Sequence, residues 1–274
     1  MTLAIIADIH ANLPALKTVL ADIKNRYGNI PIHCLGDIVD YGPQPKECLD
    51  LVLSSCKTVL AGNHEADISD PGRSDFGKFG DWTHERLSND DFAAMRMLPY
   101  QIQEGYFVAA HAMPHPGDDS YKINNWRIFT YVHPIVATWP ECVERINHHL
   151  VNLYASTRSC HVAVIGHVHR QYAFLQGSLC ENIDGLVQVP RLAGIPTLVC
   201  VPSVGQPRDN DPRTGYAVLK DHIIEFVRIN YDIESTVEEL RKRGCPEQET
   251  MMRILRTGSL KKVTVSSDEA ATNC

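Results

Sequence analysis

The sequence predicts an α/β fold in which two mixed sheets pack face to face with helices outside them, a four-layer α/β/β/α sandwich. Its first half alternates short apolar runs with segments that carry apolar residues at helical spacing, a pattern typical of parallel strands joined by crossover helices. Its second half alternates strand-length segments with turn residues, which is typical of antiparallel strands. With 274 residues, 44% of them hydrophobic, the chain can fill a core of this size.

Two strand-loop-helix units and a third strand open the chain. The first has a strand at residues 3–7 and a helix at 13–27, and the second has a strand at 32–35 and a helix at 45–54. A third strand covers 58–61. Because parallel strands of an open sheet end at one edge, we expect the loops that follow these strands to converge there.

Residues 66–106 are predicted as a helical insertion beside that edge. Its clearest helix start is Ser88, an N-cap residue followed by the acidic turn Asn89-Asp90-Asp91. An insertion at this place can be a lid or wall that controls substrate access, or a subdomain that only packs. The sequence leaves both interpretations open.

The second half begins with a hairpin at 102–110 that turns at Glu104-Gly105. A long loop at 113–134, a helix at 140–156 and a strand at 162–165 are predicted to follow. The antiparallel strands are expected at 171–175, 186–189, 196–201, 216–219 and 223–229.

The main domain is expected to cover 1–232. A helical extension is predicted for 233–257, and the polar end at 258–274 is predicted to be disordered.

The bulk composition limits the kind of partner. A net charge of -7 and a pI near 6.0 argue against non-specific binding to nucleic acid through a basic surface, while a small anionic substrate fits a locally positive metal site. The nine cysteines are scattered and form no Cys-x-x-Cys pair, so we interpret them as reduced thiols, with Cys34 and Cys200 in the core. The sequence shows no signal peptide or membrane span, which predicts a soluble, cytoplasmic protein; it does not indicate an oligomeric state.

Five short polar motifs each follow an apolar run. Two divalent cations a few ångströms apart need about seven N or O ligands and a carboxylate between them. Any one of these aspartates or histidines alone would be interpreted as a turn cap or a structural histidine. Together and in this order they predict a two-metal site. The motifs are Asp8-Ile9-His10, Gly36-Asp37-Ile38-Val39-Asp40-Tyr41-Gly42, Gly62-Asn63-His64-Glu65, His111 and Gly166-His167-Val168-His169.

The series resembles the calcineurin-like metallophosphoesterase superfamily, from residue 1 to about 232. That resemblance implies a binuclear centre with Asp37 as the bridging ligand. Its mixed N and O donors suit Mn, Fe, Zn, Co or Ni better than Ca or Mg, and we expect Mn or Fe. The resemblance assigns Asp8, His10, Asp37 and His169 to the first metal ion, and Asp37, Asn63, His111 and His167 to the second.

His64 is the candidate proton donor to the leaving oxygen, because it adjoins the ligand Asn63 without being needed for ligation. In related enzymes a carboxylate at the position of Asp40 orients this histidine, although Asp40 can also be interpreted as the cap of a turn. Asn63 and His64 are expected to contact the substrate as well.

A loop rich in Pro and Gly, Ser203-Val204-Gly205-Gln206-Pro207-Arg208-Asp209, resembles a bacterial-type branch related to diadenosine tetraphosphatases. Arg208 and Arg213 are candidates for binding substrate phosphate. The alternative for both arginines is a turn network with Asp209 and Asp211.

The second motif has Tyr41 where Ser/Thr protein phosphatases and diadenosine tetraphosphate hydrolases carry a phosphate-binding arginine. A phosphodiester has one negative charge fewer than a monoester and needs such an arginine less. We therefore predict a phosphodiesterase that acts on small nucleotide-like substrates. The alternatives are a phosphomonoesterase or Ser/Thr protein phosphatase, and a non-catalytic scaffold like the retromer subunit of this fold, which lacks the histidine corresponding to His64.

Overall fold

The computed structural model describes residues 2–112, 114, 162–175, 178–181, 185–188, 197–221 and 223–261. It contains two six-stranded mixed sheets with helices beside them. The strands are β1 (Thr2–Ile6), β2 (Ile32–Cys34), β3 (Thr58–Val59), β4 (Gln101–Glu104), β5 (Phe107–Ala110), β6 (Val162–Ile165), β7 (Tyr172–Leu175), β8 (Ser178–Glu181), β9 (Gly185–Gln188), β10 (Thr197–Cys200), β11 (Thr214–Lys220) and β12 (Ile223–Ile229). The helices are α1 (Leu13–Tyr27), α2 (Pro45–Ser55), α3 (Asn63–Ile68), α4 (Gly77–His84), α5 (Asn89–Arg96), α6 (Ile233–Lys242) and α7 (Gln248–Thr257).

The first sheet has the order β3-β2-β1-β11-β12-β9, and the second has the order β4-β5-β6-β10-β7-β8. Strands β1, β2 and β3 are parallel, and so are β5, β6 and β10; the remaining neighbours pair antiparallel. The predicted α/β sandwich of two mixed sheets with flanking helices is confirmed.

Strand β1 shows why the central strands are apolar at every position. Leu3 and Ile5 pack in the core between the two sheets, whereas Ala4 and Ile6 pack in the core under the helices. Successive side chains of a strand point to opposite faces, so a strand covered on both faces needs apolar residues throughout.

The hairpin of β4 and β5 is confirmed, with Gln101 opposite Ala110 and a turn at Gly105 and Tyr106. The predicted Ser88 cap is also present: Ser88 Oγ accepts a hydrogen bond from Asp91 N (3.2 Å), and Ser88 N donates to Asp91 Oδ2 (2.8 Å).

Two details differ from the expectation. Strand β10, predicted as one of a series of antiparallel strands, pairs parallel with β6 and antiparallel with β7. The direction of a neighbour depends on how the connecting loops cross the sheet, which local alternation does not encode. Helix α3 begins at Asn63, inside the third motif, because Glu65 Oε2 accepts a hydrogen bond from Gly62 N (2.8 Å) and caps the first turn.

The C-terminal helices α6 and α7 form an apolar cluster that also contains Tyr41 of the second motif and Phe79 and Trp82 of α4. The helical extension therefore packs against residues next to the motifs.

Among the described residues, the cysteines are free thiols, and Cys34 and Cys200 are buried in the core as expected. No helix within the described ranges combines the length and apolarity needed to cross a membrane. The predicted loop at 113–134 lies outside these ranges except for residue 114, and so do the helix at 140–156 and the end at 262–274.

Candidate metal centre

Six of the seven predicted metal ligands come together where strands of both sheets end. Asp8 follows β1, Asp37 follows β2 and His111 follows β5, and all three side chains are buried. All seven lie in the segments that follow β1, β2, β3, β5 and β6, with Asn63 as the first residue of α3, as expected where parallel strands end: Asp8, His10, Asp37, Asn63, His111, His167 and His169.

The first group of donors contains two carboxylates and two imidazoles. Its donor atoms all lie within 4.8 Å of one another. His10 Nε2 is 2.9 Å from His169 Nε2 and 3.6 Å from Asp37 Oδ2, and His169 Nε2 is 3.8 Å from Asp8 Oδ1. The four residues can therefore hold one cation.

The second group shares Asp37 with the first and adds His111 and His167, again with donor atoms within 4.8 Å of one another. His111 Nε2 is 3.0 Å from Asp37 Oδ2. Asn63 Oδ1 is buried and accepts no hydrogen bond from the described residues, which fits an oxygen reserved for a ligand. Asp37 is the residue common to both groups.

Backbone carbonyls fix three of the histidine rings. The Nδ1 atoms of His10, His111 and His169 lie 3.3, 3.0 and 2.6 Å from the carbonyl oxygens of Val39, Leu35 and Gln206. A carbonyl can only accept, so each Nδ1 carries a proton, and in the neutral ring the lone pair of Nε2 then faces the centre. This is the tautomer that a metal ligand needs.

The Nε2 lone pairs of His10 and His169 face each other, and the distance between these two atoms shows whether a cation fits between them. Burial lowers the pKa of His10 and of His169 well below its usual value, so both rings are neutral. Their Nε2 atoms are nevertheless 2.9 Å apart, close to the roughly 3 Å expected for two nitrogens each about 2.1 Å from one ion at a right angle. A cation between them turns a repulsive contact into shared ligation.

The carboxylates give a second test. Burial, together with the nearby Asp37 carboxylate, raises the pKa of Asp8 to about 7. Asp8 Oδ2 is buried and receives no hydrogen bond from the described part of the chain. A bound divalent cation would stabilise the charged form of Asp8, which burial disfavours, and would coordinate the oxygen that receives no hydrogen bond. The donor set thus fits a pair of divalent metal ions.

The backbone at the centre is strained. Eleven non-glycine residues in the described ranges have a positive φ. Such conformations cost about 1–3 kcal/mol each and persist where surrounding contacts hold them. Here Asp37 O accepts hydrogen bonds from Ile9 N (2.7 Å) and His10 N (2.9 Å), which ties the first two motifs together. Eight of the eleven lie in or beside the motifs: Asp8, His10, Ala11, Asp37, Asp40, Tyr41, His167 and His169.

The buried carboxylate of Glu65, a residue for which the sequence predicted no role of its own, holds the second motif in place. It accepts hydrogen bonds from the backbone N–H groups of Asp37 (2.8 Å), Ile38 (2.7 Å), Val39 (3.1 Å) and Gly62 (2.8 Å). The signal in the sequence was a glutamate three residues after Gly62, the spacing of a capping box.

Replacing Glu65 by glutamine is expected to destabilise the protein by about 3 kcal/mol or more. The amide NH₂ group cannot accept a hydrogen bond, so two buried backbone N–H groups lose their acceptor. The measurement is the free energy of unfolding of metal-free protein in urea. Glu85→Gln, at an exposed position, is the matched control and is expected to change stability by less than about 0.5 kcal/mol. Equal stability of Glu65→Gln and wild type would contradict the assigned role.

His64 and Asp40, the predicted catalytic pair, are in contact. His64 Nδ1 donates to Asp40 Oδ2 (2.7 Å), and His64 Nε2 points towards Asp37 Oδ2 at 3.9 Å. Burial by itself lowers the pKa of His64, but the Asp37 and Asp40 carboxylates outweigh it and raise that pKa well above its usual value. The contact with Asp40 therefore holds the ring in an orientation suited to donating a proton from Nε2.

The structure separates the two predicted phosphate-binding arginines. Arg208 lies beside the centre: its guanidinium donates to Gln206 Oε1, and its guanidinium carbon is 5.9 Å from the centre of the Tyr41 ring. Arg213 donates to both carboxylate oxygens of Asp211 (3.0 and 2.7 Å), the turn network that was the alternative. Asp209 pairs with Arg228.

Comparison with known proteins identifies a matching family and a relative of this chain. A family model described as calcineurin-like phosphoesterase matches residues 1–171. An uncharacterized protein of Methanocaldococcus jannaschii is 31% identical over 258 residues, which is 89% of this chain and 94% of that protein.

Solved structures share the fold. A metallophosphoesterase from Sphaerobacter thermophilus has a TM-score of 0.72 and 27% identity, over 94% of this chain and 100% of that one. A hypothetical protein from Pyrococcus horikoshii has a TM-score of 0.66 and 16% identity, over 95% and 99% of the two chains, and is similar in fold alone. The finer branch indicated by the loop at 203–209 stays a prediction.

Proposed function

Because this chain belongs to the calcineurin-like phosphoesterase family, we propose that it is a two-metal phosphodiesterase acting on small nucleotide-like esters. The observation that carries the proposal is the pair of donor groups that share Asp37. Two divalent cations bound there supply an activated water and neutralise charge on the phosphoryl oxygens. Mn or Fe are the proposed metals, given the mixed N and O donors.

The protein residues have separate tasks. Asp37 spans the two donor groups, and the other ligands complete them without adding enough negative charge to repel a phosphate. His64, oriented by Asp40, donates a proton to the leaving oxygen, and Asn63 contacts the phosphate beside it. In this role Asp40 is a positioning residue, since its carboxylate fixes Nδ1 and leaves Nε2 facing the centre.

The preference for diesters rests on the cations available to the phosphate. Position 41 is a tyrosine, so the second motif contributes no positive charge. Arg208 is close enough to Asp8 and Asp37 to interact with both, and it can bind one phosphoryl oxygen. One arginine in addition to the metal ions matches the single negative charge of a diester better than the two charges of a monoester.

The test is hydrolysis of bis(p-nitrophenyl) phosphate and of p-nitrophenyl phosphate by chelator-stripped protein refilled with Mn, Fe, Co, Ni, Zn or Mg in turn. We expect no turnover without metal. With Mn or Fe we expect kcat/KM to favour the diester at least about tenfold, a difference of about 1.4 kcal/mol in transition-state stabilisation.

The alternatives give other results. Preference for the monoester would make the protein a phosphomonoesterase or protein phosphatase, with Arg208 as its phosphate clamp. Two bound metal ions without turnover of any ester would indicate a non-catalytic scaffold.

A further inference from the structure

A small cavity of about 190 Å³ opens between His64 and the segment that leads into α4. Asp40, Tyr41 and His64 form the part of its wall nearest the metal centre. Phe76 and Phe79, from the insertion, form part of the opposite wall.

The position of the cavity relates it to the leaving group. If His64 donates a proton to the leaving oxygen, that oxygen lies within hydrogen-bond reach of the imidazole. The rest of the leaving group then extends away from the phosphate and past His64. The cavity whose wall includes His64 is the space that receives it.

The walls are aromatic. The ring centroid of Tyr41 lies 4.8 Å from that of His64 and 5.1 Å from that of Phe79, with interplanar angles of 65° and 77°. Phe76 stacks on His84 at 4.8 Å and is half-buried, as are Tyr41 and Phe79. Faces and edges of half-buried aromatic rings bind planar aromatic ligands.

The cations near the cavity already have partners. Arg73 forms an ion pair with Asp67 (3.0 Å), and Lys78 forms one with Glu247 (2.8 Å). Both cations are paired with a carboxylate, and Arg73 also lies over the Phe76 ring at 5.8 Å, so neither is a free cation for a second phosphate group. The chemistry of the walls instead favours an uncharged, planar group.

The size of the cavity limits the ligand. Pockets that enclose a drug-sized molecule measure roughly 300–1,000 Å³. A volume of about 190 Å³ holds one ring system and not two. We propose that this cavity binds the leaving group of the substrate when that group carries one planar aromatic ring system, an aryl ring or a nucleobase, an inference that rests on the proposed function.

The C-terminal helices support the aromatic wall of the cavity. Tyr41 and Phe79 pack against the apolar cluster of α6 and α7, which includes Val237 and Leu240. Lys78 on α4 also pairs with Glu247 at the start of α7. The C-terminal helices thus hold the aromatic wall in position beside His64.

The experiment compares ligand pairs that differ only in the ring. Adenosine 5′-monophosphate is paired with ribose 5-phosphate, and phenyl phosphate with methyl phosphate. Dissociation constants are measured by calorimetry on full-length, Mn-loaded protein, and KM replaces them for any ligand that is hydrolysed. We expect the wild type to bind the ring-bearing member of a pair about tenfold more tightly.

Phe76→Ala is expected to reduce that ratio about fivefold, with metal content and the affinity for ribose 5-phosphate and methyl phosphate unchanged. Phe76→Tyr keeps the ring and is expected to keep the ratio. Phe76 is chosen because Phe79 also packs against the C-terminal cluster, so its removal could disturb the fold.

The two pairs separate the possible ligands: an effect confined to the adenosine pair identifies a nucleobase, and one confined to the phenyl pair identifies a small aryl group. A wild-type ratio near one for both pairs, or a ratio that Phe76→Ala leaves unchanged, would overturn the proposal. If the proposed function is wrong, no ester is hydrolysed with any metal. The ratios of the dissociation constants still show in that case whether the cavity binds an aromatic ring.

Discussion

Asp37→Ala is expected to remove both metal ions and to abolish hydrolysis. Asp37 Oδ2 lies 3.0 Å from His111 Nε2 and 3.6 Å from His10 Nε2, so one carboxylate serves both donor groups. Without it, the first group keeps one carboxylate, Asp8, and the second keeps none. Metal content per chain, measured by inductively coupled plasma mass spectrometry, and turnover of bis(p-nitrophenyl) phosphate test this expectation.

The matched control is Asp50→Ala on the exposed face of α2. Asp50 pairs with Lys46 on the same helix, a contact that contributes little to stability. This variant should retain full metal content and activity. Retention of two metal ions or of wild-type activity in Asp37→Ala would refute the bridging role. Circular dichroism of metal-free Asp37→Ala separates metal loss from unfolding.

His64→Ala is expected to keep both metal ions and to lose about 100-fold or more in kcat on a diester with a nucleoside leaving group, the usual contribution of a general acid. His64 Nδ1 is bound to Asp40 Oδ2 at 2.7 Å, and neither donor group requires the imidazole. The measurement combines metal content with kcat on two diesters, one with a p-nitrophenyl leaving group and one with a nucleoside leaving group.

The leaving group provides the internal control. A p-nitrophenolate ion leaves without being protonated, whereas a nucleoside alkoxide needs a proton, so the loss in His64→Ala should be much larger for the nucleoside ester. Asp40→Asn should show the same preference with a smaller loss, because the ring remains but its orientation is less well fixed. Loss of metal from His64→Ala would make His64 a ligand, and equal losses on both esters would exclude a proton donor.

Much of the fold could be predicted because its signals are local. The bounds of α1 and β6 follow from apolar spacing and from the polar residues after each run, and those of β1 and β2 follow to within one residue. The direction of β10 could not be predicted, since it depends on which strand the returning chain meets.

The candidate site also has some features that the sequence predicts and others that it does not. Six of the seven predicted ligands lie in the two donor groups, and each could be singled out in the sequence because it belongs to a short motif. The role of Glu65 could not, since its partners at residues 37, 38 and 39 are 26 to 28 residues away along the chain. Arg208 and Arg213 look equivalent in the sequence, and only folding places one beside Tyr41 and the other on Asp211.

The sequence by itself determined most of the strands and helices along the chain, the residue types of the centre and the family to which the chain belongs. Only the tertiary structure decided that the Nε2 atoms of His10 and His169 lie 2.9 Å apart, that the donor atoms within each group lie within 4.8 Å of one another, and that α6 and α7 support an aromatic cavity beside His64. The reason is physical: residue type and periodicity are properties of short segments, whereas distances between segments far apart in the chain are set by strand register and by the packing of one layer on another.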